Sequence, residues 1–173
     1  MKYVRIEGNV AFVELTQGYE AKIDIDDVLI ISKHSWCAVV VDGKRIYAWS
    51  SSAGYMHRSI MSPPEGMDVD HEDHNGLNNQ RSNLRVGTRG QNMENRRGAN
   101  KNSATGIRGV HIHRLKKIRK HATSKTEVVT YNARYMIMGK SYTKNFPFTP
   151  DGLEAAKQWV SSKRIENMTF SRD

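Results

Sequence analysis

Apolar and polar positions alternate in short runs along the first third of the chain, which predicts strands rather than long helices. YVRIE and VAFVELT flank the dipeptide Gly8-Asn9, and CAVVV and KRIYAW flank Asp42-Gly43, so each pair predicts a hairpin with a two-residue turn. Between the hairpins, DDVLIISKH predicts a short helix, with Asp26 or Asp27 as its cap and Lys33 and His34 at its C-terminal end. SAGYMHRSIM predicts a second helix, with Met56 and Ile60 on one face, stopped by Pro63 and Pro64. His57 on that helix reads as a core residue. Past residue 106, IRGVHIHR alternates as a half-buried strand does, LKKIRKHATSKTE reads as an exposed basic loop, and VVTYNARYMIM and SYTKNFPF predict two strands joined at Gly139-Lys140. Thr149, Pro150 and Asp151 open a helix whose apolar stripe is Leu153, Ala156, Trp159 and Val160.

Charge divides the chain differently. The net charge is +9, but residues 1–60 are balanced, with seven Lys/Arg against seven Asp/Glu. Residues 61–80 carry five acids and no Lys or Arg, and residues 81–125 carry thirteen Lys/Arg and one acid, Glu94. An acidic knot followed by so basic a stretch points to a polyanionic partner, nucleic acid above all. The nearly apolar-free segment RRGANKNSATG marks a linker or domain boundary. No apolar run is long enough to span a membrane, and the N-terminus lacks the core of a secretory signal, so the expected compartment is the cytoplasm, that of a bacterial host if the chain is phage-encoded. The single cysteine, Cys37, excludes an internal disulfide framework and a multi-cysteine zinc site.

The acidic knot lies inside VDHEDHNGLNNQRSNLR, residues 69–85, which crowds carboxylates, imidazoles and amides into one run. A calcium loop fails in the registers that start at Asp70 and at Asp68. Counting from Asp70 puts Asn75 at the position that needs Gly and Arg81 at the position that needs Glu; counting from Asp68 puts Asp73 and Asn79 there. A phosphodiesterase centre fits better. An imidazole with pKa near ~6.5 takes a proton from water at neutral pH, and a hard cation such as Mg²⁺ needs only a few protein oxygens. Asp70 and His71 offer both groups, but strand neighbours point to opposite faces, so they cooperate only where the backbone turns. GLNN supplies a turn, Leu84 to Val86 a returning strand, and Thr88-Arg89-Gly90-Gln91 a capping box that opens a helix carrying Asn92, Asn95 and Arg96 on one face.

Those words, DHEDHNGLNNQRSNLR followed by TRGQNMENRR, resemble the HNH endonucleases, whose catalytic unit is the ββα-metal fold; the preceding YMHRSIM also recurs in phage-type members. The resemblance covers Tyr55 to Arg97. It implies His71 as general base, Asn83 as the residue that orients the base and braces the loop, and Asp70 and Asn92 as ligands of a single Mg²⁺ or Mn²⁺. Asn92 stands where many members have His, as in homing nucleases, and His74 where relatives often have Gly or another small residue. The words SATGIRGVHIHR, YNARYMIMGKSYTKNFPFT and DGLEAAKQWV resemble the Apetala-type (ethylene-response-factor) DNA-binding domain over Asn102 to about Ile165, with a basic insertion from Leu115 to Thr130. That implies a three-stranded antiparallel sheet backed by one helix, its polar face presented to the major groove of double-stranded DNA.

The expected architecture is α+β: a β-rich N-terminal unit leading into an HNH core at about 67–97, a basic linker at 98–106, and a DNA-binding sheet and helix over 107–173. The expected DNA contacts are Arg85, Arg89, Arg96, Arg97, Lys101, Arg108, His111, His113, Arg114, Arg134, Lys140 and Lys144. The expected activity is hydrolysis of DNA to 5′-phosphate and 3′-hydroxyl ends by a homing-type endonuclease. The alternatives are a DNA-binding regulator with an idle centre and a structure-selective repair or packaging nuclease. One centre per chain suits a nick, a symmetric dimer a double-strand cut, and the sequence leaves the two open.

Overall fold

The computed structural model describes residues 4–96, 98–118, 125–137 and 139–170. Arg97, Met138 and residues 119–124 of the expected basic loop lie outside them. The chain divides into two compact units, Met1–Met93 and Glu94–Asp173. The fold is α+β, built from small antiparallel sheets and four α-helices among the described residues. No helix there is long and apolar enough to cross a membrane.

In the first unit, β1 (Val4–Glu7), β2 (Val10–Glu14) and β3 (Glu20–Asp24) form one meander, and β4 (Cys37–Val41), β5 (Arg45–Ser50) and β6 (Gly54–Tyr55) a second. Both expected hairpins form. The β4–β5 turn shows why its sequence works: Asp42 and Gly43 both take positive φ, 53° and 66°, as a type I′ turn demands. β3 escaped the sequence reading, because its polar residues Glu20, Lys22 and Asp24 alternate with only two apolar ones. Those two, Ala21 and Ile23, are fully buried, and with Ala11 and Val13 of β2 they pack into a core shared with Ile31, Trp36, Ala48, Met56, Ile60, Val69 and Leu84. α1 (Val28–Ile31) and α2 (Met56–Met61) cover that core, and the hairpin of β7 (Asp68–His71) and β8 (Leu84–Gly87) contributes Val69 and Leu84 to it. α3 (Arg89–Glu94) opens on the expected capping box: the Thr88 N–H donates to the Gln91 side chain at 2.9 Å, and the Gln91 N–H returns to Thr88 Oγ1 at 3.3 Å. The helix ends at Glu94, so Asn95 and Arg96 do not lie on it as expected; Asn95 is buried in the turn that follows.

Neither acid expected to cap α1 does so. Asp27 sits at the N-cap position without a side-chain cap bond, because its carboxylate is taken by Arg81. Arg81 Nε and Nη2 reach it at 3.0 and 2.6 Å, a fork-on-carboxylate geometry, and Nη2 also donates to the Ile60 carbonyl at 3.1 Å.

In the second unit, β9 (Val110–Ile118), β10 (Lys125–Ile137) and β11 (Lys140–Pro147) form a sheet with β10 in the centre. Its ladder is longer than the sequence suggested: Leu115–Ile118 pairs with Lys125–Val128, where the reading placed a loop. The sequence of that stretch, LKKI and KTEV, lacks the alternation that marks a half-buried strand. α4 (Pro150–Asn167) starts as expected, the Gly152 N–H donating to Thr149 Oγ1 at 3.1 Å. Its Ala156 and Val160 pack on Val110 and Ala133, with Leu153 and Trp159 beside them. Residues 98–109 run as successive turns, fixed to β9 by Thr105 Oγ1 donating to the Val110 carbonyl at 2.7 Å.

Because Asp27 is only 1% exposed, Arg81→Met leaves a buried carboxylate without its cation. Urea unfolding of this variant is expected to show a loss of about 2–4 kcal/mol, reduced from the fully buried case because Arg81 is half-exposed. Adding Asp27→Asn should recover part of it.

Candidate active site

β7 ends at His71, where the chain turns, and β8 returns at Leu84; the twelve residues between carry the polar run singled out above. Very little of that loop is apolar, so polar bonds set its path. Asn83, at the end of a single 3-10 turn (Arg81–Asn83), braces it. Its Oδ1 accepts from the Asp73 N–H at 3.0 Å, and its Nδ2 donates to Asp73 Oδ1 at 3.0 Å and the Asn78 carbonyl at 2.8 Å. Burial pushes the Asp73 carboxyl up, but bonds from the Asn78 side chain, the Asn75 N–H and Asn83 outweigh it and hold the group below its usual range. Gly76 is required by contact rather than by φ. A Cβ there would lie 2.3 Å from the Ile46 carbonyl oxygen and 2.5 Å from the Tyr47 ring.

A second set of bonds ties the same loop to β3 and the turn after it. The Lys22 N–H donates to the Leu77 carbonyl at 2.8 Å and the Asn79 N–H to the Lys22 carbonyl at 2.7 Å. Asp24 accepts from Gln80 Nε2 and from the Arg81 N–H, both at 2.8 Å. With Asp27 on the Arg81 guanidinium, residues 22–27 hold residues 77–81 throughout. Lys22, Asp24 and Asn79 carry no signal of this in the sequence, and Asp27 carries only that of a helix cap. They are separated from their partners by more than fifty residues, or, for Asn79, were read as part of a plain turn.

The His71 imidazole is 5% exposed. Its Nε2 lies 3.3 Å from Asn79 Oδ1. Asn83 is bonded instead to Asp73 and Asn78, so it braces the loop as expected without a bond to the ring. The ring stands edge-on to His57, centroids 4.9 Å apart, and 5.8 Å from Tyr47. His57 in turn stacks on Tyr55 at 5.4 Å. Burial pushes the His71 imidazole below the ordinary histidine value, against the opposing pull of Asn79, Asp73 and Asp70, so the ring is neutral at neutral pH. His57, 8% exposed, is pushed further, down to about 3, by burial first and then by His71 and Arg58.

Asp70 leaves β7 on the other face. It pairs across the hairpin with Arg85, whose guanidinium reaches Asp70 at 3.1 Å and Glu72 at 3.6 Å. Arg85 is thus largely enclosed by two carboxylates. Asn92 is half-buried on α3. The structure brings His71 and Asn83 to the two ends of one loop, with Asp70 next to His71, and places Asn92 on the helix that follows the hairpin.

The basic candidates scatter more. Arg89 is exposed at the start of α3. Arg96 and Lys101 are exposed in the second unit. Arg108 precedes β9, and its guanidinium donates to the Glu94 and Arg96 carbonyls at 3.0 and 2.5 Å. Strand parity divides the rest. Ala133 faces α4, so its ladder partners Val110 and Lys144 share that side, as do Arg114 and Lys140 farther along. His111, His113 and Arg134 lie on the opposite face with Thr130, Asn132, Thr143 and Asn145, the last bonded to Asn132 at 2.8 Å.

Residues 62–94 match the family model described as HNH endonuclease. Over 88 residues the chain is 39% identical to an uncharacterized HNH endonuclease of Acanthamoeba polyphaga mimivirus, an alignment covering 46% of this chain and 45% of that protein. The chain thus spans less than half of that relative's length. No solved structure matches the chain.

A neutral buried His57 has a folded-state pKa below its unfolded value, so its stability contribution is fully present above pH 6.5 and is lost as pH falls from 6.5 toward about 3. Denaturant midpoints measured across that window are expected to drop in the wild type and to drop less in His57→Phe. Asp70, His71, Asn83 and Asn92 all lie within the segment that matches the HNH endonuclease family model.

Proposed function

We propose that the chain is a metal-dependent DNA endonuclease of the HNH homing type, with its chemistry in the first unit and site selection on the sheet of the second. The observation that carries this reading is the neutral, oriented imidazole of His71 at the end of a β-hairpin, within the segment that matches the HNH family. A general base must be unprotonated at working pH and fixed in direction, and His71 meets both needs.

Asp70 and Asn92 would hold one divalent ion. Their donors are a carboxylate and an amide oxygen, a hard set that suits Mg²⁺ or Mn²⁺ retaining most of its water. Among the described residues no cluster of three or more His, Cys, Asp or Glu side chains is arranged for a metal, which tells against a closed, all-protein cage but not against a two-ligand site completed by water and phosphate. Such an ion supplies charge neutralisation at the phosphate. His71 takes a proton from water as the water oxygen bonds to phosphorus. The P–O3′ bond breaks, the 3′ oxygen gains a proton from solvent, and the products are a 5′-phosphate and a 3′-hydroxyl. The Asn83 brace keeps the loop closed while this happens.

The outer face of the β9–β11 sheet supports a reading as the DNA-binding surface, by its likeness to the Apetala-type sheet and its row of hydrogen-bonding side chains, His111, Asn132, Asn145, Arg134 and Thr143. Arg108, engaged with backbone carbonyls, serves that surface less directly than Arg134.

Two outcomes are expected. His71→Ala lowers cleavage of duplex DNA by about 10²–10⁴-fold while duplex affinity stays unchanged; purified protein with Mg²⁺ or Mn²⁺ that binds DNA and never cuts it would leave only the regulator. Arg134→Ala weakens duplex binding and lowers the slope of log affinity against log salt by about 1 if the contact is to phosphate, measured by fluorescence anisotropy at several salt concentrations.

A further inference from the structure

Asn79 is completely buried, 0% exposed, and its amide has two neighbours that together fix its orientation. Nδ2 lies 3.5 Å from the Gly76 carbonyl oxygen and Oδ1 3.3 Å from His71 Nε2. A carbonyl oxygen only accepts, so the end of the amide that faces Gly76 is the nitrogen. The oxygen then faces the imidazole, and it too only accepts. Nε2 must therefore carry a proton, and in the neutral ring the lone pair is left on Nδ1. Rotation of the ring out of this arrangement is opposed by His57, edge-on at 4.9 Å, and by Tyr47 at 5.8 Å. Asn79 itself is fixed from β3, through its N–H on the Lys22 carbonyl and the Lys22–Asn78 bridge.

From this geometry we infer that Asn79 is a positioning residue for the His71 base: it holds the ring as the Nε2–H tautomer, assigns proton abstraction to Nδ1, and transmits the placement of the N-terminal sheet to the reacting group. The inference rests on the nuclease reading only for its consequence in turnover; the tautomer is a property of the free protein. The N-terminal meander then has a task in the chemistry, as the anchor of the residue that aims the base.

The test uses the full chain labelled with ¹⁵N-histidine. The His71 ring resonances are assigned by their loss in His71→Gln, and cleavage of plasmid DNA with Mn²⁺ is followed in parallel. At pH 8 the wild type is expected to show the Nε2–H form. Asn79→Ala should show a mixture with the Nδ1–H form and a kcat lower by about 10²-fold with KM within about twofold. Asn79→Asp, which places an accepting oxygen at the same point, should restore the Nε2–H form and part of kcat. Ile31→Val, a core truncation in α1 outside the meander, loses thermal stability but should change neither the tautomer nor kcat at a temperature where it is folded. A wild-type ring in the Nδ1–H form overturns the inference, as does an Asn79→Ala protein whose tautomer and kcat are unaltered. If the wild type does not cut DNA at all, the nuclease reading fails, and the ring spectra of wild type and Asn79→Ala still decide the tautomer.

Discussion

The first unit depends on one polar seam, the bonds by which residues 22–27 grip residues 77–81. The loop between β7 and β8 has little apolar surface to bury, so hydrophobic packing cannot determine where it runs. Each neutral hydrogen bond contributes about 1 kcal/mol, and those to charged groups about 1.5–3 kcal/mol. Asp24 and Asp27 supply the charged ones. Their value lies less in the sum than in the penalty for breaking any of them, since a buried carboxylate stripped of its donors costs more than the bond contributed. The loop's path is therefore set by polar bonds, and on the nuclease reading a base that must point in one direction needs that kind of support.

The same seam lets a polar residue sit in an apolar neighbourhood. His71 and His57 lie beside each other under Tyr47 and Tyr55. Two imidazoles at this distance cannot both be charged without repelling, and burial disfavours the charge on each. The result is a pair of neutral rings whose environment, rather than intrinsic basicity, sets their protonation. On the outer side of the hairpin the sign reverses: Asp70 and Glu72 enclose Arg85. The β7–β8 hairpin separates a dry, neutral, aromatic side from a charged, wetter one, and His71 and Asp70, adjacent in sequence, stand on opposite sides of that division. On the nuclease reading the phosphate must approach at the end of the hairpin, where the two sides meet.

Much of this was legible because the chain announces its turns. Asp42-Gly43, Pro63-Pro64, the Thr88–Gln91 capping box and the Thr149-Pro150 start of α4 are local signals, and each formed the element it predicts. The unread parts share a physical cause. β3 is stabilised by two buried residues and by a loop over fifty positions away, and the distal β9–β10 ribbon is paired through a stretch whose sequence shows no apolar alternation. In the site, Asp70 and His71 stood out by chemistry. Asn79 did not, because an Asn-Asn pair in a polar run looks like a turn until the imidazole is seen against it. Asp27 looked like a helix cap for the same reason, its true partner being Arg81.

The second unit applies the opposite rule to its polar groups. Its sheet buries Val110, Ala133, Ala156 and Val160 against one helix, and the other face carries polar side chains, with Asn132 bonded to Asn145 and Arg134 against Met136 Sδ at 3.8 Å. Sequence listed the basic residues of this unit together, but strand register separates them. Lys140, Lys144 and Arg114 share the parity of the helix-packed face, and Lys144 extends over the Phe146 ring at 5.3 Å. His111, His113 and Arg134 share the open face with amides and hydroxyls, the residue types that read base edges rather than charge alone. On the nuclease reading, net charge would draw the polyanion in, whereas selectivity would come from the less basic of the sheet's two faces.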